Sequence, residues 1–203
     1  MIVEASIDFY DFDEYDQMVT AAGKVGANAR LVVLLGGDAG LRGGEIRALE
    51  WSDVNLKKRQ LRVERNDWHG QVTSTKGNRV RWVPLTRRLA AALQRGRHPR
   101  GARVVCHDDG RSFAEHHLVD LLAKVARLAN VRNNGPHILR HTFCSHLAMK
   151  GAPARAIQEL AGHRDLATTQ RYMHLSPHAV QDAIRLLDGS SARRGDIAEA
   201  TNS

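Results

Sequence analysis

The chain has 203 residues, which is enough for one domain with a substantial core. Its 30 lysines and arginines outnumber its 22 acidic residues and give a formal charge of +8, which favours a polyanionic partner, nucleic acid first. No apolar run approaches the roughly 18 residues of a membrane span, the acidic first residues lack the basic start of a secretory signal, and Cys106 and Cys144 are typical of reduced thiols rather than of a disulfide framework.

The first quarter of the chain predicts three helices. An amphipathic pattern predicts a helix at 12–23, which Asp11 or Asp13 can cap. A second helix at 27–39 carries ARLVVLL, which is apolar all round and is therefore expected to be buried. After the glycine-rich stretch GGDAGLRGGE at 36–45, the segment GEIRALEW predicts a short third helix.

Strand-like alternation replaces the helical period between residues 56 and 85. The three alternating segments are QLRVER, GQVTST and RVRWVPL, and KGN at 76–78 is a turn signal between the last two. We predict a small antiparallel three-stranded sheet with a hairpin whose tip carries Lys76.

Helices dominate the remainder of the chain. They are predicted at 86–95, 114–129, 136–150, 153–160, 167–173 and 177–187, with Thr86 and Ser176 as N-caps. The residues after Asp188 are small and polar, so we expect a flexible C-terminal tail. The sequence therefore predicts one domain over 1–188, mainly α with a small antiparallel three-stranded β-sheet (α+β), followed by the tail at 189–203.

The glycine-rich stretch first suggests a phosphate cradle. A P-loop requires Lys-Ser/Thr after its last glycine, where this chain has Glu45 and Ile46, and the dinucleotide fingerprint requires a strand and a glycine spacing that are both missing. What remains is a tight turn that places Arg42 at a helix start, with Glu45 one turn on. A cation there opposes the helix dipole, which indicates an anionic ligand, although an ordinary surface arginine is the alternative.

Two further segments contain residues suited to chemistry. In PHILRHTFCSHL, His137 and Arg140 share a face near a helix start. His137 and His141 also have the spacing of metal ligands, but the His-Glu-x-x-His pattern is missing, so we predict no metal site. In LAGHRDLATTQRYMHLS, Tyr172 follows His163 by nine residues, and taken alone such a tyrosine is more often a packing residue than a nucleophile.

Taken together, these motifs resemble the tyrosine recombinase (phage integrase) family. The order and spacing of GLRGGEIRALEW, TKGNRVRWVPL, HILRHTF and LAGH, followed by the tyrosine, agree with the catalytic domain of that family from about residue 11 to residue 187. The resemblance implies the fold of that domain and a site-specific recombinase that breaks and rejoins DNA through a covalent 3′-phosphotyrosyl intermediate. It also implies that no metal, ATP or other cofactor is needed.

The resemblance implies roles for the residues that would bind and attack the phosphate. Tyr172 matches the nucleophile of the family. Arg42 and Arg140 match its two clamping arginines, whose guanidinium groups bind phosphate oxygens bidentately and keep their protons. His163 matches the residue that adds a hydrogen bond to the same phosphate.

Three more residues match positions that the family uses for proton transfer and support. Lys76 matches the general acid that protonates the leaving 5′-oxygen. His137 matches the position that exchanges a proton with the tyrosine, and we expect it to act as general base. Glu45 matches an acidic position that orients or buttresses the site, and His141 is expected to support the site or pack beside it.

The family pattern also sets expectations for partners and organisation. Most members carry a DNA-clamping helical domain before the catalytic domain. We expect this N-terminal core-binding domain to be absent here, as in a fragment, which we favour, or in a naturally minimal protein, and DNA binding to be weak and salt-sensitive. The implied partner is double-stranded DNA, which a homotetramer would bind on paired sites, and the free protein is expected to be a monomer. No membrane partner is expected. The implied location is the cytoplasm, with the protein encoded by a bacterium, a phage or a mobile element. The segment SPHAVQDAIRLL can dock in cis or in trans.

Three alternative functions stay open at this stage. A type IB topoisomerase shares the tyrosine chemistry but relaxes supercoils without sequence preference. A non-cutting DNA-binding regulator with this fold would have no need to retain the six catalytic positions, all of which are present here. A metal-dependent nuclease that uses the histidines would be inhibited by chelators.

Overall fold

The computed structural model describes residues 7–74, 80–99, 101–133 and 135–176, together with positions 181, 184, 185 and 187. The described helices are α1 (Phe12–Val25), α2 (Ala27–Gly37), α3 (Gly43–Ala48), α4 (Arg87–Gly96), α5 (Glu115–Ala129), α6 (His137–Met149), α7 (Ala154–Ala161) and α8 (Leu166–Met173). The described strands are β1 (Val54–Asn55), β2 (Gln60–Val63), β3 (Arg65–Trp68), β4 (Gln71–Ser74) and β5 (Arg81–Pro84). The predicted class, mainly α with a small antiparallel sheet, is confirmed.

Each predicted helix up to residue 173 is found within two residues of its expected ends, except α3, which ends three residues before the end of GEIRALEW. The predicted caps explain two of the starts. Asp11 and Glu14 exchange side chain–backbone hydrogen bonds of 2.8 and 2.9 Å at the start of α1, and the Thr86 hydroxyl accepts from the Leu89 N–H at the start of α4. The predicted helix at 177–187 lies largely outside the described residues, and the turn at 76–78 and the tail at 189–203 lie wholly outside them.

Helix α2 forms the centre of the main hydrophobic core. Its residues from Leu31 to Leu35 are almost completely inaccessible to solvent, as ARLVVLL predicts. α1, α4, α5 and α6 all pack against it, so the apolar surface on every side of the helix is covered. None of the described helices is long and apolar enough to cross a membrane.

The strands pair differently from the prediction. A three-stranded antiparallel sheet is present, but its order is β1-β2-β5, so RVRWVPL pairs with QLRV. The predicted strand GQVTST supplies β4, which pairs with β3 in a separate two-stranded hairpin. His69 and Gly70 turn this hairpin, both with positive φ (49° and 83°), as in the two-residue turns that suit hairpins. The prediction that GQVTST joins the three-stranded sheet is therefore wrong.

A second, smaller core holds the C-terminal helices together. α7 and α8 pack on α6, and their buried contacts involve Phe143, Cys144, Ile157, Ala161 and Tyr172. α7 also packs against β5. α6 packs on α2 as well, so this one helix connects the main core to the helices that carry His163 and Tyr172 at their ends.

Candidate active site

A sharp turn between α2 and α3 positions two arginines. Gly40 has a φ of +66°, and a Cβ at this position would lie 2.5 Å from Cδ1 of Phe143, so only glycine fits. The turn leaves Arg42 at the start of α3, with its side chain 37% exposed. The Gly40 carbonyl also accepts a hydrogen bond of 2.6 Å from Nη1 of Arg140 on α6. One turn therefore places Arg42 and anchors Arg140.

Glu45 is a buried carboxylate that holds Arg42 in place. Its Oε2 accepts from the Arg42 backbone N–H at 2.8 Å, and its Oε1 accepts from Nη1 of Arg42 at 3.1 Å. Arg81 of β5 donates to both oxygens, at 2.8 and 2.7 Å. Burial raises the pKa of Glu45, but the hydrogen bonds and charge of Arg81 and then the charge of Arg42 outweigh it and hold this pKa at about 2. The carboxylate is therefore ionised.

Arg140 has a free donor inside the protein. Its residue is only 6% exposed, yet its Nη2 has no hydrogen-bond partner among the described atoms. Burial, followed by the charge of Arg42, lowers the pKa of Arg140 to about 10, so it remains a cation near neutral pH. A buried donor without a partner costs free energy, and an anionic ligand would remove that cost.

His163 is held as a neutral imidazole beside these arginines. It follows Gly162, which ends α7 in the left-handed conformation and whose carbonyl lies 3.3 Å from Nη2 of Arg42. The Nδ1 atom of His163 is 2.8 Å from Oγ1 of Thr169. Burial, and then the charges of Arg140 and Arg42, lower the pKa of His163 to about 3.

Tyr172 lies against His163 with its hydroxyl hydrogen-bonded. The two rings are parallel with centroids 6.2 Å apart, and the hydroxyl is 2.7 Å from Nδ1 of His141. Burial and then Cys144 raise the pKa of Tyr172 to about 12, although Arg140 and Arg171 act to lower it. Burial also lowers the pKa of His141. The phenol is therefore protonated and shares a hydrogen bond with a neutral imidazole.

The chain has three tyrosines, and the other two are engaged elsewhere. The Tyr10 hydroxyl donates to the Arg132 carbonyl at 2.7 Å, and the Tyr15 hydroxyl donates to Asp38 at 2.7 Å. Both residues are buried in the main core near α1. Tyr172 is thus the tyrosine that lies near His163 and Arg140.

The structure brings five of the seven predicted site residues into one connected group: Arg42, Glu45, Arg140, His163 and Tyr172. His137 is exposed at the first residue of α6, where it lines a cavity of about 260 Å³ together with Arg42 and Glu45. Lys76 lies outside the described residues.

The sequence pattern gave no sign of Arg81, whereas His141 was expected to support the site or pack beside it and contacts Tyr172. Arg81 is one of two arginines in RVRWVPL, and nothing in that pattern distinguishes the one that pairs with a buried carboxylate. The HILRHTF motif contains His141, but its contact with Tyr172 depends on how α6 packs against α8, which the sequence of α6 does not contain.

A large cleft opens from this group along β5 and α7. Its volume is about 840 Å³, and its lining is rich in cationic and polar side chains, among them Arg42, Arg81, Arg155, His163 and Arg164. Exposed Trp82 lines it as well. Within the part of the chain that the structure describes, no group of three or more His, Cys, Asp or Glu residues could hold a metal ion. The cleft is therefore suited to an anionic ligand held by side chains.

Arg42 and His163 line the basic cleft, and the buried Arg140 and Tyr172 lie next to them, so these four residues form a candidate phosphate-binding site with a candidate nucleophile. A sequence model of the phage integrase family matches residues 8–178, and the chain belongs to this family. The tyrosine recombinase XerC of Pelobacter propionicus is 36% identical over 144 residues, which are 68% of this chain and 44% of the relative. XerC of Xanthomonas axonopodis pv. citri is 32% identical over 79% of this chain and 51% of the relative. The chain spans about half the length of these curated relatives.

Solved structures show the same fold. The catalytic domain of bacteriophage HP1 integrase superimposes with a TM-score of 0.66 and 22% identity, covering 91% of this chain and 98% of that one. The Tn1549 transposon integrase in complex with a circular intermediate DNA has a TM-score of 0.74 at 20% identity and covers 93% and 67% of the two chains. XerA recombinase has a TM-score of 0.71 at 22% identity and covers 90% and 66%. The expected catalytic-domain fold is thereby confirmed.

Proposed function

We propose that this protein acts as the catalytic domain of a site-specific DNA recombinase, with Tyr172 as its nucleophile. The observation that carries the proposal is the buried Nη2 of Arg140, a cationic donor that has no partner among the described residues and belongs to the group that holds Tyr172. A backbone phosphate would satisfy that donor. The names of the curated relatives, which are tyrosine recombinases, support the same reaction.

The reaction needs only the side chains of the protein and the DNA. The Tyr172 oxygen forms a bond to phosphorus, the bond from phosphorus to the 5′-oxygen breaks, and a 3′-phosphotyrosyl intermediate and a 5′-hydroxyl result. Arg42 and Arg140 bind the non-bridging oxygens, where charge accumulates in the transition state. Attack by another 5′-hydroxyl reverses the step, and the covalent intermediate conserves the bond energy, so no ATP is required.

Proton transfer accompanies both bond changes. We propose His137 as the general base for Tyr172, since it lines the cavity beside Arg42, and His141 as the group that holds the hydroxyl before attack. We assign the general acid for the 5′-oxygen to Lys76 on its match to the family motif. We assign the Thr169 hydroxyl as the donor to Nδ1 of His163, which leaves Nε2–H of that ring as the donor offered to the phosphate.

We propose double-stranded DNA with a specific target sequence as the substrate. The charge of +8 and the arginine-lined cleft support a polyanion. In this proposal the protein acts as a homotetramer on two DNA sites and is a monomer when it is free of DNA. Residues 1–188 would form the catalytic domain and residues 189–203 a tail.

A covalent capture experiment tests the proposal. The protein is incubated in EDTA with a pool of nicked DNA duplexes of randomised sequence, and adducts are isolated on a denaturing gel and sequenced. We expect adducts with the wild-type protein, none with Tyr172→Phe, and a common sequence in the captured DNA. No adduct, or an adduct that persists in Tyr172→Phe, would overturn the proposal. Adducts without a common sequence would favour topoisomerase-like relaxation, and cleavage that EDTA abolishes would favour a metal-dependent nuclease.

A further inference from the structure

Arg81, the first residue of β5, is an arginine that the proposed chemistry does not use. Its side chain is 11% exposed, and all three of its guanidinium nitrogens donate to the protein. Nη1 and Nη2 form a fork on the two oxygens of Glu45, and Nε donates to the Leu160 carbonyl at 3.0 Å. Arg140 has a nitrogen without a partner in the described part of the chain, whereas each nitrogen of Arg81 is already engaged. This geometry is typical of a support rather than of a phosphate ligand.

The first consequence of this fork concerns the charge on Arg42. Glu45 is 2% exposed, and a buried carboxylate attracts any nearby cation strongly. Arg81 donates to both carboxylate oxygens of Glu45, and Arg42 makes one side-chain hydrogen bond of 3.1 Å to the same carboxylate. With two guanidinium groups sharing one carboxylate, Arg42 keeps positive charge for another anion, and Glu45 still orients it.

The second consequence concerns the backbone that leads to His163. Arg81 donates to Leu160 in the last turn of α7 and packs against Gly162, where a Cβ would lie 3.0 Å from Nη1. Gly162 in turn offers its carbonyl to Arg42, and the next residue is His163. Arg81 thus joins α3, β5 and the end of α7 at the point where Arg42 and His163 meet.

We propose that Arg81 is a positioning residue for DNA cleavage, which acts by neutralising Glu45 and fixing the end of α7 so that Arg42 and His163 are oriented before the phosphate arrives. The inference rests on the proposed recombinase function. Preorganised donors stabilise a transition state without reorganisation during the reaction, so the loss of Arg81 should slow the chemical step more than it weakens binding.

The first test separates cleavage from binding. Arg81→Lys keeps the charge but cannot form the fork. In single-turnover reactions at saturating captured target DNA, we expect its cleavage rate to fall by about tenfold or more, with DNA affinity within about twofold of wild type. Arg111→Gln is the control, because Arg111 pairs with Asp109 on the surface and does not line the cleft, and its rate should stay near wild type. Thermal unfolding confirms that each variant is folded at the assay temperature.

The second test asks whether Arg81 acts through Glu45. We expect Glu45→Gln and Arg81→Gln each to slow cleavage, and the double variant to be no slower than the slower single variant, because the two residues act as one unit. Arg81→Gln should also lose activity at acidic pH where the wild type does not, since Glu45 would then become protonated at higher pH. That acidic loss should be missing from the double variant.

The outcomes distinguish this inference from the function on which it rests. A wild-type protein that forms no Tyr172 adduct would overturn the proposed function. If the adduct forms but Arg81→Lys cleaves at the wild-type rate, only the role of Arg81 is wrong. A loss of affinity with an unchanged saturated rate would make Arg81 a DNA ligand, and independent effects of the Arg81 and Glu45 variants would also contradict a role through Glu45.

Discussion

The side chain of Tyr172 is protonated and covered in the structure. It is 3% exposed, its hydroxyl is bound by His141, and burial and then Cys144 raise its pKa to about 12. A phenol in this state is a weak nucleophile at neutral pH, so attack requires a group that removes its proton. The cations around it favour the phenolate, but they do not outweigh burial.

We expect His141→Asn to slow cleavage by about tenfold or more and to leave DNA affinity unchanged. The reason is that the neutral imidazole of His141 is the direct partner of the nucleophile, and its pKa lies below the usual value, so it stays neutral at pH 7. His146→Asn is the control, because His146 lies on the same helix but bonds to the Tyr10 carbonyl. Single-turnover rates and binding curves would show the difference, and equal rates for His141→Asn and wild type would contradict it.

Thr169 offers a test of which ring nitrogen of His163 carries the proton. Thr169→Val keeps the shape of this fully buried side chain but removes the hydroxyl 2.8 Å from Nδ1 of His163. Without it, the ring proton is no longer held on Nε2, and we expect slower cleavage at saturating DNA. Thr169→Ser should restore most of the rate. Equal rates for the valine and serine variants would show that the hydroxyl has no part in the reaction.

At the scale of the residue, the sequence indicates which residues are candidates for the site better than it predicts which residues contact one another. The motifs singled out Arg42, Arg140, His163 and Tyr172, and the structure places these residues close together near helix ends. Arg81 could not be found in this way. Its partner Glu45 lies 36 positions earlier in the chain, and only the packing of β5 on α3 and α7 brings them together.

At the scale of the element, the turn between α2 and α3 places Arg42 and anchors Arg140. We expect Gly40→Ala to destabilise the protein by about 2 kcal/mol or more and to reduce cleavage, because a Cβ would meet Phe143 and the φ is positive. Gly151→Ala is the matched control, since its φ is +77° but nothing lies within 4 Å of the added atom. It should cost about 1 kcal/mol. Denaturant unfolding measures both, and equal losses would mean that the contact with Phe143 is unimportant.

The sheet illustrates why strand pairing is harder to predict than strand existence. The alternation in QLRVER, GQVTST and RVRWVPL correctly indicated strands, but alternation does not name a partner. The two-residue turn at His69 and Gly70 lets β4 fold back on β3 instead, and β5 then pairs with β2. The helices were predicted more closely, because caps and apolar faces are local signals.

At the scale of the whole molecule, the positive charge should control DNA affinity. We expect the logarithm of the association constant for duplex DNA to fall linearly with the logarithm of the salt concentration, with a slope of about −0.9 for each phosphate contacted. Arg164→Gln should reduce that slope by about one contact, because Arg164 lines the cleft. Arg111→Gln is the control, since Arg111 pairs with Asp109 and does not line the cleft. Binding that is insensitive to salt would contradict this expectation.

The central claim is that Tyr172 becomes covalently bound to DNA. Mass spectrometry of proteolytic fragments from the captured adduct tests it most directly, because the chain has only three tyrosines and each falls in a distinguishable position. The account predicts a nucleotide remnant, joined through a 3′-phosphate, on the fragment that contains Tyr172. A remnant on Tyr10, on Tyr15 or on a residue other than tyrosine would contradict it.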